Sequence, residues 1–352
     1  MDYSPESPGC PTLTACCTAN VRFWHKADKS SLLLFVRFWG QSGHEARAGD
    51  QLWSVHYDRN IGDILAAQDD ITQTILGSIE PELTSAEWAE ALRKPADSLD
   101  ARDHYRRATW HLYRYTAADI EAAKQHCQMA IEFERDFAQS YIALAYACHL
   151  SLIFDQVRNR DATLEAGLRA AECAVQLDDR DAFALGMLGR GRMMARDFDG
   201  AIAQTRAAID LNPYSAQAHY DLGFALVAAG DASAALGPLL KAVDLSPRHP
   251  NLASFGTVLS TAHILLGKPV EAAHWALVAL RQPASHFNAC MHLAVALSVI
   301  GDRAGARRAG DQLIRIKPDF RPELVSRCWP FRKAAHAAVF MEALRKLEPK
   351  WR

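Results

Sequence analysis

Apolar and small residues along 216–249 (AQAHYDLGFALVAAGDASAALGPLLKAVDLSPRH) fall into two blocks at helical spacing. Gly230-Asp231 separates the blocks and Pro247 ends the second. The pattern predicts two antiparallel helices. Gly223 and Ala235 are small enough for the helices to approach closely. Gly230 permits the positive φ that ends the first helix, and Asp231 can cap the second. Pro247 stops that helix and starts the link to the next unit.

The preceding stretch repeats the pattern at an offset of 34 residues. Leu188-Gly189, Ala201, Ala208 and Pro213 correspond to Leu222-Gly223, Ala235, Ala242 and Pro247. Downstream, Leu259, Gly267, Ala272 and Ala279 continue it over 253–286. Leu293-Ala294, Gly301-Asp302, Ala306 and Pro318 continue it over 287–320. Upstream, Tyr141, Leu144-Ala145, Gly167 and Ala174 fit around a polar insertion, DQVRNRDAT. Ile120, Ala123 and Ala130 mark a weaker unit over 104–136. The expectation is an array of about six helix pairs over 101–321. A capping helix follows over 322–352, because apolar residues return at helical spacing from Phe331 to Leu347.

The first hundred residues differ. Residues 50–59 (DQLWSVHYDR) alternate and predict a strand. Ile64-Leu65, Ile71, Ile75-Leu76 and Ile79 predict a helix over 62–79 that Pro81 ends. A short helix over 84–93 and a linker, Lys94-Pro95-Ala96-Asp97-Ser98, follow. Residues 1–48 show no consistent period and are expected to be disordered or a spurious extension. A strand without partners cannot form a stable sheet, so 49–100 read as the remnant of an α/β segment plus linker.

Composition removes several function classes. Of 352 residues 49% are apolar, and the net charge is −2. That balance predicts neither a nucleic-acid nor a membrane partner. No run reaches the roughly 18–20 apolar residues of a membrane helix, the longest candidate being Leu32–Val36. Leu13-Thr14-Ala15-Cys16 has the form of a lipoprotein cleavage box but lacks a basic and apolar leader, so the expected location is cytoplasmic. The eight cysteines follow no metal or disulfide framework; Cys127, Cys148, Cys173 and Cys290 sit singly in apolar helical stretches, as small core residues do. Gly186, Gly189 and Gly191 lie inside a predicted helix, where small residues serve packing rather than phosphate binding. The histidines are scattered singly, and no Ser, Cys or Thr has a base at a diagnostic spacing. The expectation is a non-enzyme with no cofactor and no metal.

Residues 104–320 resemble tetratricopeptide repeats, most specifically in the units at 182–249, so the fold implied is an all-α solenoid of antiparallel helix pairs with a short N-terminal strand and helix remnant. A second resemblance covers 49–352. It rests on Gly49-Asp50-Gln51-Leu52-Trp53, Tyr57-Asp58-Arg59, Asp63–Ile71, Glu80-Pro81-Glu82-Leu83 and Lys94-Pro95…Ser98-Leu99-Asp100. These resemble the TolB-like segment and following array in the C-terminal half of bacterial class III adenylate or guanylate cyclases and of CadC-like regulators. The resemblance implies a signalling or regulatory role. The cyclase or winged-helix output domain that it implies would precede Gly49, where 48 residues are too few to hold it, and the chain shows no basic recognition helix.

Repeats of this kind bind partners on the concave face lined by the first helices. The register places Tyr146, His149, Arg190, Met193, Gln217, Tyr220, Phe224, Asn288 and Met291 on that face. Tyr, Arg, Phe and Met are the residue types of interface anchors. Most groove positions are apolar, so the expected partner is a hydrophobic helix or extended peptide rather than a terminal carboxylate.

Overall fold

The computed structural model describes residues 19–28, 31–40, 51–59, 84–283 and 286–347. The chain divides into two compact units, Met1–Thr72 and Gln73–Arg352. The helix expected over 62–79 lies outside the described residues.

In the first unit three strands, β1 (Ala19–Asp28), β2 (Ser31–Gly40) and β3 (Gln51–Arg59), form an antiparallel sheet in the order β1-β2-β3. Asp28 pairs with Ser31 and Phe35 with His56, and the β2–β3 register shifts between Phe38 and Trp39. The strand expected at 50–59 is therefore not partnerless: it pairs with residues that show no alternation. The reason lies in β2, whose apolar run Leu32–Val36 sits in the central strand. A continuous apolar run fits a strand flanked on both sides but carries no period to reveal it.

In the second unit helical residues 84–93 (α1) and a single turn at Ala96–Ser98 precede six antiparallel pairs. These are α2/α3 (Ala101–Leu112, Ala117–Phe133), α4/α5 (Ala138–Ile153, Arg160–Leu177) and α6/α7 (Ala182–Met194, Phe198–Leu211). Then come α8/α9 (Ala216–Ala229, Ala232–Leu245), α10/α11 (Leu252–Leu265, Pro269–Leu280) and α12/α13 (Phe287–Ile300, Arg303–Ile316). Each first helix packs on its own second helix, and each of the first five packs also on the next pair. This is a tetratricopeptide-like α-solenoid.

Local chemistry sets the register. Thr116, Asn159, Asp197, Asp231 and Asp302 cap the second helices by accepting a backbone N–H three residues on, at 2.9–3.1 Å. Lys268-Pro269 starts the exception, α11. A Cβ on Gly223 would sit 2.4 Å from Leu239 Cγ, and one on Gly256 2.8 Å from the Trp275 carbonyl, so the paired helices approach as closely as glycine allows. Within each pair the turn passes through one left-handed residue: Tyr115, Asp155, Arg196, Gly230, Gly267 and Gly301, with φ between 52° and 96°. Glycine takes that conformation freely, whereas Tyr115, Asp155 and Arg196 hold it at a backbone cost.

The C-terminal residues leave the array. Two short helices, α14 (Leu324–Cys328) and α15 (Ala334–Arg345), flank Trp329-Pro330-Phe331. A cap continuing the array would stack on α13. Instead α15 packs on α12 and α14, and the Arg332 N–H donates to the Ala228 carbonyl of α8 at 2.8 Å. The apolar residues Phe320, Val325, Trp329, Phe331, Phe340 and Leu344 are buried there. The apolar stripe of α15 is covered by the first helix α12 and by α14.

Candidate binding groove

The first helices converge on a small cavity that is partly open to solvent. Its enclosed part holds about one water molecule. Helix α4 supplies Tyr146, His149, Leu150 and Ile153; α6 supplies Arg190; α8 supplies Tyr220 and Phe224. Ser254, Thr257 and Val258 come from α10, Asn288 from α12, and His286 from the residue before α12. Trp329, from the terminal segment, closes one side.

Six of the nine positions predicted for the concave face thus line this cavity: Tyr146, His149, Arg190, Tyr220, Phe224 and Asn288. Met193 and Met291 are buried and do not line it, and Gln217 is half-buried beside it. All six lining residues are buried rather than open to solvent.

Arg190 is the electrostatic centre. Its guanidinium carbon lies 5.1 Å from the Tyr146 ring centroid and 5.0 Å from that of Tyr220. Its Nε donates to Asp221 Oδ1 at 2.6 Å; Nη2 lies equally near that oxygen but is aligned for no hydrogen bond. Burial pushes the Asp221 carboxyl up, and the Arg190 guanidinium and the Gln217 amide oppose that push. Burial works hardest against the Arg190 charge, but Asp221, Tyr220 and Tyr146 together outweigh it, so the guanidinium stays a cation. Gln217 donates to Asp221 Oδ1 at 2.9 Å and accepts from the Asn251 amide at 3.3 Å. Asn251 Oδ1 accepts from Tyr115 at 2.6 Å. A polar chain therefore runs from α6 to the first turn of the array.

Sequence reasoning missed Asp221, Asn251, Tyr115, His286 and Trp329. One signal was available. Arg190 and Asp221 stand 31 residues apart, one repeat less a helical turn. Thr261 and His292 stand at the same separation, and their side chains meet at 2.7 Å. Nor are the histidines all single: His104 Nδ1 lies 2.9 Å from His126 Nδ1, across α2 and α3. Among the described residues no group of three or more His, Cys, Asp or Glu is placed to hold a metal ion. Cys127, Cys148 and Cys290 are buried, and Cys173 is half-buried.

No family model matches the chain. Among curated proteins it is similar to the putative adenylate cyclase 3 of Rhizobium meliloti (strain 1021), 25% identical over 101 residues. The match covers 29% of this chain and spans only 17% of that protein's length. Among solved structures, the APC/C hetero-tetramer Cut9-Hcn1 superposes with a TM-score of 0.52 at 14% identity, over 77% of this chain and 47% of that one. A thermophilic TPR protein of Thermus thermophilus gives 0.44 at 18% identity, over 59% of this chain and 99% of that one. The Cut9-Hcn1 likeness shows the fold alone; the second is too loose to add to it.

Removing one partner of the buried pair strands a charge. Asp221→Ala should cost about 3–5 kcal/mol by urea unfolding, whereas Arg190→Met/Asp221→Leu should recover most of that loss. Equal losses in the single and double variants would show that the pair's charges do not dominate.

Burial holds His249 and His286 down to about 3 and His292 to about 4, against 6.5 for an exposed imidazole. The folded protein keeps all three neutral while the unfolded chain protonates below pH 6.5. Their contribution to stability is therefore complete above that pH and falls as the pH drops toward 3–4. At pH 5 each should cost about 2 kcal/mol, so thermal melts should move down steeply between pH 7.5 and 5. His286→Phe should flatten that slope; an unchanged slope would remove His286 from the account.

Proposed function

We propose that the protein is a protein-interaction module of a bacterial signalling or regulatory system, which takes a peptide or helix of its partner on the inner face of the array. The observation that carries this reading is the convergence of five first helices on one aromatic and cationic cavity. Tyr, Phe and Arg from successive repeats meet there, the residue types that dominate binding hot spots. The solenoid supports it, because stacked pairs present a long concave surface that a single pair cannot. No described helix is long and apolar enough to cross a membrane, which agrees with a partner met in water.

The similarity to a putative adenylate cyclase supports a second reading, in which the chain belongs to a cyclic-nucleotide signalling protein as its regulatory part. The match is short, and in this reading the cyclase chemistry belongs to another segment or chain. The transcription-regulator reading rests on resemblance alone and is the weaker one.

A random-peptide library selected on the full chain tests the first reading. Selected peptides should lose at least about tenfold in affinity on a folded Tyr220→Leu/Phe224→Leu variant, as expected for central anchors. Peptides that bind both proteins equally would place the binding surface elsewhere. The purified chain incubated with ATP or GTP and Mn²⁺ should yield no cyclic nucleotide; turnover would overturn the non-catalytic reading.

A further inference from the structure

The inner face of the array already holds an occupant. Trp329 packs edge-on to Phe224 with centroids 5.5 Å apart and lies 5.1 Å from His292. Phe331 stacks on Trp329 at 5.9 Å. The segment between α14 and α15 is non-helical, and it is held much as a bound peptide would be. Its Arg332 N–H donates to the Ala228 carbonyl at 2.8 Å, near the C-terminal end of α8, where carbonyls lack helical partners. Its Phe331 carbonyl accepts from Arg196 Nη2 at 2.8 Å. Arg332 pairs with Asp199 at 2.6 Å and covers the Phe198 ring at 5.0 Å. Arg327, just before it, pairs with Asp155 at 2.9 Å.

Two features separate this seat from an ordinary core contact. First, strained residues stand at the seat. Arg196 and Asp155 take the left-handed turn position that glycine fills in the three later pairs; Arg196 binds the segment, and Asp155 pairs with Arg327 at the end of α14 that leads into it. Backbone strain held at such sites points to a use beyond folding. Second, the fit is incomplete. Trp329 Nε1, His149 Nδ1 and both His286 nitrogens are buried with no hydrogen-bond partner. A well-matched ligand would pair them, since each unpaired buried group weakens the seat. The Arg332–Asp199 pair at the rim is exposed, so it adds little hold.

We propose that residues 329–332 are an intramolecular ligand that keeps the inner face closed, and that the external partner competes with them using the same chemistry. That partner is an extended segment with two aromatic side chains around a proline and a following arginine. The proposal rests on the interaction-module reading above and adds what the partner looks like and what it must displace. A closed groove lowers the apparent affinity of any competitor by the fraction of molecules that are open.

A labelled peptide spanning 326–335, with Ser for Cys328, tests this by fluorescence anisotropy on the full chain. Two variants open the groove: Trp329→Ala/Phe331→Ala removes the anchors, and Arg332→Glu breaks the rim contacts with Asp199 and the Phe198 ring and leaves the anchors in place. The peptide should bind the first at least about tenfold tighter than the unmodified chain, and the second at least about threefold tighter. Circular dichroism and melting establish that each is folded; if the first unfolds, Arg332→Glu alone decides. Equal binding to the unmodified and opened chains overturns the proposal, as does no binding to a folded opened chain. The two readings fail differently. If library peptides select on the inner face yet gain nothing from opening, only the intramolecular ligand falls. If no peptide selects there on either the unmodified or the opened chain, the interaction module falls with it.

Discussion

One helix pair of this array cannot bury its own apolar face, and the rest of the structure follows from that constraint. Each pair must lie against its neighbours, so the chain repeats a unit whose two helices come within glycine distance of each other. Gly223 against Leu239 and Gly256 against the Trp275 carbonyl mark how tight that approach is. The apolar core that results runs continuously from Ala108 in α2 to Leu344 in α15. Stability is therefore a sum of neighbour contacts rather than the property of one central core.

Stacking of this kind directs one stripe of every first helix inward. Five such stripes meet, and polar groups caught among them must find partners or remain a cost. Arg190 and Asp221 resolve this as an ion pair flanked by two tyrosine faces, and Gln217, Asn251 and Tyr115 extend it. The paired groups tie neighbouring repeats into one register. Even there Arg190 Nη2 and Asp221 Oδ2 make no hydrogen bond, and His149 and His286 keep unpaired nitrogens toward the same cavity. The inner face is thus partly satisfied structure and partly unmet hydrogen-bonding capacity.

The terminal segment exploits that face. An isolated hydrophobic strip such as Trp329-Pro330-Phe331 has no repeat partner of its own. Apolar surface on the concave side is the nearest available cover, and the orphan carbonyls of α8 supply a backbone acceptor. The array's geometry makes the groove and also provides its first occupant.

Much of this was legible in the chain. Helix caps at Asp197, Asp231 and Asp302, the left-handed Gly230 and Gly301, and the 34-residue offset all depend on residues within a turn or a repeat of one another. Such local rules determine the helix pairs and which first-helix positions share a side. That is why Tyr146, His149, Arg190, Tyr220, Phe224 and Asn288 could be placed together before any contact was known. The pairing of Arg190 with Asp221 was within reach of the repeat arithmetic, but only for a reader who allowed for a helical turn. The sheet partners of β3 were hidden, because a central strand with a continuous apolar run shows no period. The closing of the groove was decided by tertiary structure alone. Arg196 and Phe331 lie 135 residues apart, and no propensity or spacing encodes where a short aromatic segment finds its best cover among several exposed apolar faces. That choice belongs to the sum of packing contacts in the folded array.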